Sequence, residues 1–136
     1  MEKIFDQNGQ VVYRDFAHSP SKLKATTEAI KDSFNGKLIA VFELHTFSSL
    51  TKDFLPLYKD TMDAADHAIV FYNDAIFEHK KMEYIDASFV QNSFGNVEVM
   101  HFASDLENIV NTSFEQGDNV LLMSSGTFKK ASFTFD

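Results

Sequence analysis

An aspartate and a histidine three positions apart, in Asp15-Phe16-Ala17-His18-Ser19-Pro20, are the most specific side chains in this sequence. Ser19 and Pro20 alone would start a helix, as an N-cap followed by a proline at the first helical position. A carboxylate and an imidazole are not needed for that. Further polar residues follow apolar runs: Glu43, His45, Ser48 and Ser49; Asn73 and Asp74, with Lys80 and Lys81 beyond; and Ser124-Ser125. Several chemistries are excluded. Without cysteine there is no disulfide framework, thiolate zinc site or cysteine nucleophile. His18, His45, His67, His79 and His101 lack metal-ligand spacing; His101 reads as a core or edge residue and His67 as a surface turn residue. Five scattered glycines supply neither a dinucleotide fingerprint nor a phosphate loop, since Gly36-Lys37 precedes a strand rather than following one. An acidic doublet for a phosphoacceptor site is also missing.

The elements that must position these residues alternate. Asn8-Gly9 between residues 4–7 and 10–16 is a strong hairpin signal. The apolar runs 38–42, 68–72, 97–102 and 120–123 read as strands, the more continuous of them covered on both faces. Between them, Leu23, Thr27, Ile30 and Phe34 form one helical stripe. Leu50, Phe54, Leu57, Tyr58, Thr61 and Ala65 form a second, with Pro56 kinking it or near its start. Met82, Ile85 and Phe89 begin a third, and Ser104-Asp105-Leu106-Glu107 reads as a capping box. Residues 131–136 fit a frayed helix or a short strand. The pattern predicts an α/β fold: a Rossmann-like three-layer sandwich with a mostly parallel sheet and an N-terminal antiparallel hairpin strand. In such a sheet the loops after the strands share one edge, where ligands bind. Here they are residues 15–19, 43–49, 73–77, 103–105 and 124–128.

With 136 residues the chain is one domain, and no internal repeat or linker divides it. Its net charge of −8 argues against nucleic acid and anionic membranes as partners. No run approaches the length of a membrane span, and the N-terminus is not a signal peptide. A cytoplasmic location is the expectation.

Asp15-Phe16-Ala17-His18-Ser19-Pro20 resembles the Asp-Tyr-Ala-His-x-Pro motif opening the C-terminal domain of Mur ligases and folylpolyglutamate synthetases. The likeness continues in order. Phe42-Glu43-Leu44-His45 resembles the Phe-Gln/Glu-Pro-His loop of the muramate-specific branch, and Ala64-Ala65-Asp66 its Ala-Asp before the next strand. Met123-Ser124-Ser125-Gly126-Thr127-Phe128 resembles the Met-Ser-Asn-Gly-x-Phe of ligases that attach an intact murein peptide.

The resemblance implies that residues 1–136 are the C-terminal (glutamate ligase-type) domain excised from a three-domain enzyme, inactive without the N-terminal and central domains. The whole ligase would use ATP and Mg²⁺, the metal held mainly by the central domain, to join a murein tripeptide to UDP-N-acetylmuramate in peptidoglycan recycling. By similarity Asp15 would bond the ATP ribose hydroxyls and His18 would line the nucleotide site. Ser124 would meet the incoming amino acid or peptide, although Ser124-Ser125 also reads as a strand-to-helix cap. His45, Ser48, Asn73 and Ser125 complete a substrate-binding edge. Lys80 and Lys81 would pair with distal peptide carboxylates or stay solvated.

Thr46 and Ser49 stand where alanine-adding enzymes carry arginines, and Arg14 is the chain's single arginine. That favours the tripeptide as acceptor. The alternatives are the C-terminal domain of a UDP-N-acetylmuramate–L-alanine ligase, or a free-standing nucleotide-binding module.

Overall fold

The computed structural model describes residues 1–45, 50–73, 75, 77, 83–128 and 131–135. Its strands are β1 (Glu2–Gln7), β2 (Gln10–Asp15), β3 (Leu38–Glu43), β4 (His67–Phe71), β5 (Glu98–Met100) and β6 (Asn119–Met123). Its helices among the described residues include α1 (Pro20–Ser33), α2 (Ala87–Phe94) and α3 (Ala103–Glu115). One sheet runs β1-β2-β6-β3-β4-β5, with β1 antiparallel to β2 and all other pairs parallel. The hairpin closes as its sequence demands: Asn8 and Gly9 both take positive φ, 56° and 82°, the two left-handed positions of a type I′ turn.

Two apolar layers cover the sheet. Alternate strand residues Leu38, Ala40, Phe42, Val70, Leu121 and Met123 pack beneath Leu23 and Ile30 of α1, Val90 and Phe94 of α2, and Tyr58. Their neighbours Val12, Ile39, Val41, Ile69, Val120 and Leu122 face Leu106, Val110 and Phe114 of α3. This is the expected three-layer sandwich, and β3 is buried along its whole length.

The helix expected over 50–65 is not one. Its structure is a four-residue 3₁₀ turn, Leu55–Tyr58, set among turns. Pro56 lacks the N–H that a continuing helix needs, and Asp60 adopts a left-handed φ of 62°. The apolar spacing marked buried positions only in part: Leu50, Tyr58 and Thr61 are in the interior, but Leu57 of the stripe is 60% exposed and the buried Leu55 lies outside it. α2 begins later than its apolar stripe. Asp86 caps it by accepting the Phe89 N–H at 2.9 Å, and Gly95 ends it with a φ of 97°; Met82 lies outside the described residues. Ser104 is not a cap: α3 starts at Ala103, with Phe102 in the N-cap position and Asp105 in the first turn, where its charge suits the helix dipole. β5 stops at Met100, so His101 follows the strand and packs edge-on against Tyr72 at 4.7 Å. His67 opens β4, 3.0 Å from the Glu98 carboxylate. Residues 131–135 are neither helix nor strand. Phe133 and Phe135 stack on each other and extend the second apolar layer.

Candidate functional site

Five parallel strands end along one edge, and the chain leaves them in different directions. After β2 it turns to α1 on the first face; after the adjacent β6 it turns to Phe128 in the second layer. Neighbouring strands whose connections diverge leave a crevice at their carboxyl ends. Asp15 closes β2 beside Met123 of β6, and the Ser124 N–H donates to the Asp15 carbonyl at 3.0 Å.

On the β2 side, Thr26 of α1 donates its hydroxyl to Asp15 Oδ2 at 2.9 Å, which fixes the carboxylate while leaving lone pairs for a ligand. His18 is exposed, and its Nδ1–H donates to the Phe16 carbonyl at 2.9 Å. Tyr58 holds this loop by donating its hydroxyl to the His18 carbonyl, and its ring stacks on Phe94 at 4.8 Å. Phe16 is 72% exposed beside them.

On the β3–β6 side, Glu43 and Ser124 are buried together. The Ser124 hydroxyl donates to Glu43 Oε1 at 2.5 Å, and the Phe128 N–H donates to the same oxygen at 2.9 Å. The Gly126 N–H donates to Ser124 Oγ at 2.7 Å. His45 completes the wall: a Cβ at Gly126 would lie 2.9 Å from Glu43 Oε1 and 3.0 Å from the His45 ring, so a side chain at that position has no room.

The structure thus gathers Asp15, Ser124 and His45 at the crevice, with His18 at its rim and Ser125 exposed beside Ser124. Asn73 spends its side-chain oxygen on the Ala75 N–H at 3.0 Å, a local turn bond. Ser48, Lys80 and Lys81 lie outside the described residues. Asp66 is architectural rather than part of the crevice. It accepts from Lys31 Nζ at 2.6 Å and the Leu38 N–H at 2.8 Å, pinning the end of α1 to the start of β3. These contacts, the lysine first, hold its carboxyl below the usual aspartate range.

Sequence reasoning did not assign roles to Glu43, Thr26 or Gly126. Glu43 carried a signal: it is the one ionisable residue ending an otherwise apolar, fully buried strand. Thr26 carried none, because its bond spans a loop and a helical turn. Among the described residues no group of three His, Asp or Glu side chains converges on a point, and no helix is long and apolar enough to cross a membrane.

Known proteins resemble the chain over nearly its full length. The UDP-N-acetylmuramate–L-alanine ligase of Allorhizobium ampelinum is 33% identical over 127 residues, covering 88% of this chain and 26% of that protein. Its counterpart from Caldanaerobacter subterraneus is 31% identical over 121 residues, covering 87% and 26%. The chain therefore spans about a quarter of each. Among solved structures, the murein peptide ligase of Psychrobacter arcticus superposes with a TM-score of 0.71 at 24% identity, over 96% of this chain and 28% of that one. A domain of a UDP-N-acetylmuramate tripeptide ligase from Haemophilus ducreyi gives 0.61 at 21% identity, over 96% and 91%. At that identity the superpositions establish the fold. Residues 1–126 match the Mur ligase, glutamate ligase domain, and the chain belongs to that family.

Proposed function

We propose that this chain is the closing domain of a cytoplasmic, ATP-dependent peptidoglycan ligase, acting on a UDP-N-acetylmuramate carboxylate. ATP would convert that carboxylate to an acyl phosphate with release of ADP. An incoming amine would then displace phosphate and form the amide. The N-terminal and central domains of the enzyme would supply the UDP-sugar site, the phosphate loop and the Mg²⁺ donors, so the isolated chain turns over no ATP. The observation that carries this reading is the adjacency of two unlike half-sites on neighbouring strands: Asp15, oriented by Thr26, for the nucleotide, and Ser124, anchored by Glu43, for the acceptor. One domain could then close over both partners at once.

The acceptor proposed is the murein tripeptide L-alanyl-γ-D-glutamyl-meso-diaminopimelate, because Thr46 and Ser49 offer no arginine for a single amino acid's carboxylate. The names of the curated relatives favour the second reading, L-alanine. A competition assay decides: full-length protein with UDP-N-acetylmuramate, ATP, Mg²⁺ and equimolar L-alanine and tripeptide, products resolved by mass. The tripeptide adduct is expected. A dominant alanine adduct moves the assignment to the second reading, and neither adduct with no ADP formed overturns the ligase reading.

A further inference from the structure

Between residues 83 and 128 the sequence carries seven carboxylates, Glu83, Asp86, Glu98, Asp105, Glu107, Glu115 and Asp118, and no lysine or arginine. Two of them, Glu98 and Asp105, line an open groove of about 690 Å³ between β5 and α3. The half-buried Met100 and Ile109 give the groove apolar lining, and Phe102 stands there 65% exposed. His101 is the one imidazole of the lining, which holds no described lysine or arginine. β5 also ends the sheet, and among the described residues it pairs with β4 alone. The Tyr72 N–H donates to the Met100 carbonyl at 3.1 Å, so Met100 faces β4; in a parallel ladder the neighbouring Val99 then turns its N–H and C=O to the open side. Such an edge is a template for another extended chain. The opposite edge is guarded differently, by the exposed Lys3–Asp6 ion pair on β1.

We propose that this groove takes a basic, extended segment of a partner protein, which adds to β5 as a seventh strand and sets lysines or arginines against Glu98 and Asp105. Three residues of β5 form few ladder bonds, so the groove supplies the rest. Alternate side chains of an added strand share one face. Long basic ones lay their aliphatic stems on Met100 and Ile109 while their charged heads reach the two carboxylates. Charge selects this occupant. A second copy of the chain would bring the same carboxylates to the same edge, and nucleic acid or an anionic membrane would bring the same sign. The proposal stands independently of the ligase reading. β3 and β4 separate β5 from β6, about 14 Å at ordinary strand spacing, which places the groove outside the crevice at Asp15 and Ser124.

The test uses full-length protein and three fluorescein-labelled peptide amides, Lys-Val-Lys-Val-Lys-Val, Lys-Pro-Lys-Pro-Lys-Pro and Glu-Val-Glu-Val-Glu-Val. The second keeps the charge but lacks half the backbone donors; the third keeps the strand and reverses the charge. Binding is followed by anisotropy at low salt, and the site by hydrogen exchange with mass spectrometry. The Lys-Val peptide should bind and slow exchange in the fragment holding residues 97–102, and the other two should do neither. The double variant Glu98→Gln/Asp105→Asn, which changes two exposed side chains at nearly constant shape, should weaken the Lys-Val peptide about three- to thirtyfold. Sedimentation should show no self-association through this edge. Absence of binding, equal binding of the Lys-Pro peptide, protection at β1 in place of 97–102, unchanged affinity in the double variant, or a dimer that itself protects 97–102 overturns the proposal. The readout needs no turnover, so it stands apart from the competition assay that tests the ligase reading.

Discussion

Gly126→Ala tests how tightly the Ser124 loop is built. Gly126 has no positive φ to excuse it, so the new methyl is the whole perturbation. It would sit 2.9 Å from Glu43 Oε1 and 3.0 Å from His45 Cγ and Cδ2, where ordinary contact begins at 3.4 Å. Glu43 cannot retreat freely, because Oε1 already holds Ser124 at 2.5 Å and Phe128 at 2.9 Å. Overpacking of this kind costs about 1–3 kcal/mol, and loosening a charge-assisted hydrogen bond adds to the upper end. Alanine restricts the unfolded chain and returns about 0.4–1 kcal/mol. The net is a destabilisation of about 2 kcal/mol, or a fall in Tm of roughly 8 °C for a domain of this size. Thermal melts of wild type and Gly126→Ala, with urea melts for the free energy, measure it. A Tm within about 2 °C of wild type would falsify the picture of a rigid Glu43–Ser124–Phe128 wall.

Two further outcomes follow from named contacts. Asp66→Asn keeps an acceptor for the Leu38 N–H and loses the Lys31 pair; both partners are substantially exposed, so solvent screening limits the cost to about 0.5–1 kcal/mol at neutral pH. Because folding depresses the Asp66 pKa, that advantage is complete above 3.8, the unfolded value, and fades as pH falls through the lower folded value, so wild-type and variant urea midpoints should converge in acid; a constant gap would return the effect to packing. In the full-length enzyme, Asp15→Ala should raise KM for ATP about ten- to a hundredfold with a smaller change in KM for the acceptor. Thr26→Val, which removes only the orienting hydroxyl, should move KM for ATP less, and equal effects on both substrates in either variant would make Asp15 a turn residue.

What could be read from the sequence was what local physics decides. Asn8-Gly9 dictates its turn through two positive φ angles, and the unbroken run Leu38-Ile39-Ala40-Val41-Phe42 declares a strand covered on both faces. The stripe from Leu50 to Ala65 shows where locality fails. The stripe picked out the buried Leu50, Tyr58 and Thr61 but took the exposed Leu57 in place of Leu55, because the backbone at Pro56 is a 3₁₀ turn, whose Tyr58 reaches back to the His18 loop. Ser104 fails for a related reason. The chain enters α3 two residues earlier, soon after β5 ends, and a plausible cap became an exposed first-turn residue. The Asp15–Thr26 bond, the Lys31–Asp66–Leu38 clasp and above all the Glu43–Ser124 pair join residues whose separation hides any pattern. The resemblance to Mur ligases singled out Ser124, but the carboxylate that holds its hydroxyl lies 81 positions away in sequence.

That pairing follows from one topological fact. The last strand, β6, does not extend the sheet at its edge; it enters between β2 and β3, the first two parallel strands of the chain. Its insertion sets Met123 beside Asp15 on one flank and Phe42 on the other. The loop of residues 124–128 therefore has only one place to go, over the Glu43 end of β3. There the Phe128 and Gly126 N–H groups find their acceptors, and the Phe128 ring seals into the opposite layer against Phe71. Until β6 docks, β2 and β3 have no common neighbour, Glu43 has no serine and Asp15 no flanking loop. The Asp15 flank and the Glu43 flank of the crevice are completed by the same strand, which joins them through the Ser124 N–H and its bond to the Asp15 carbonyl.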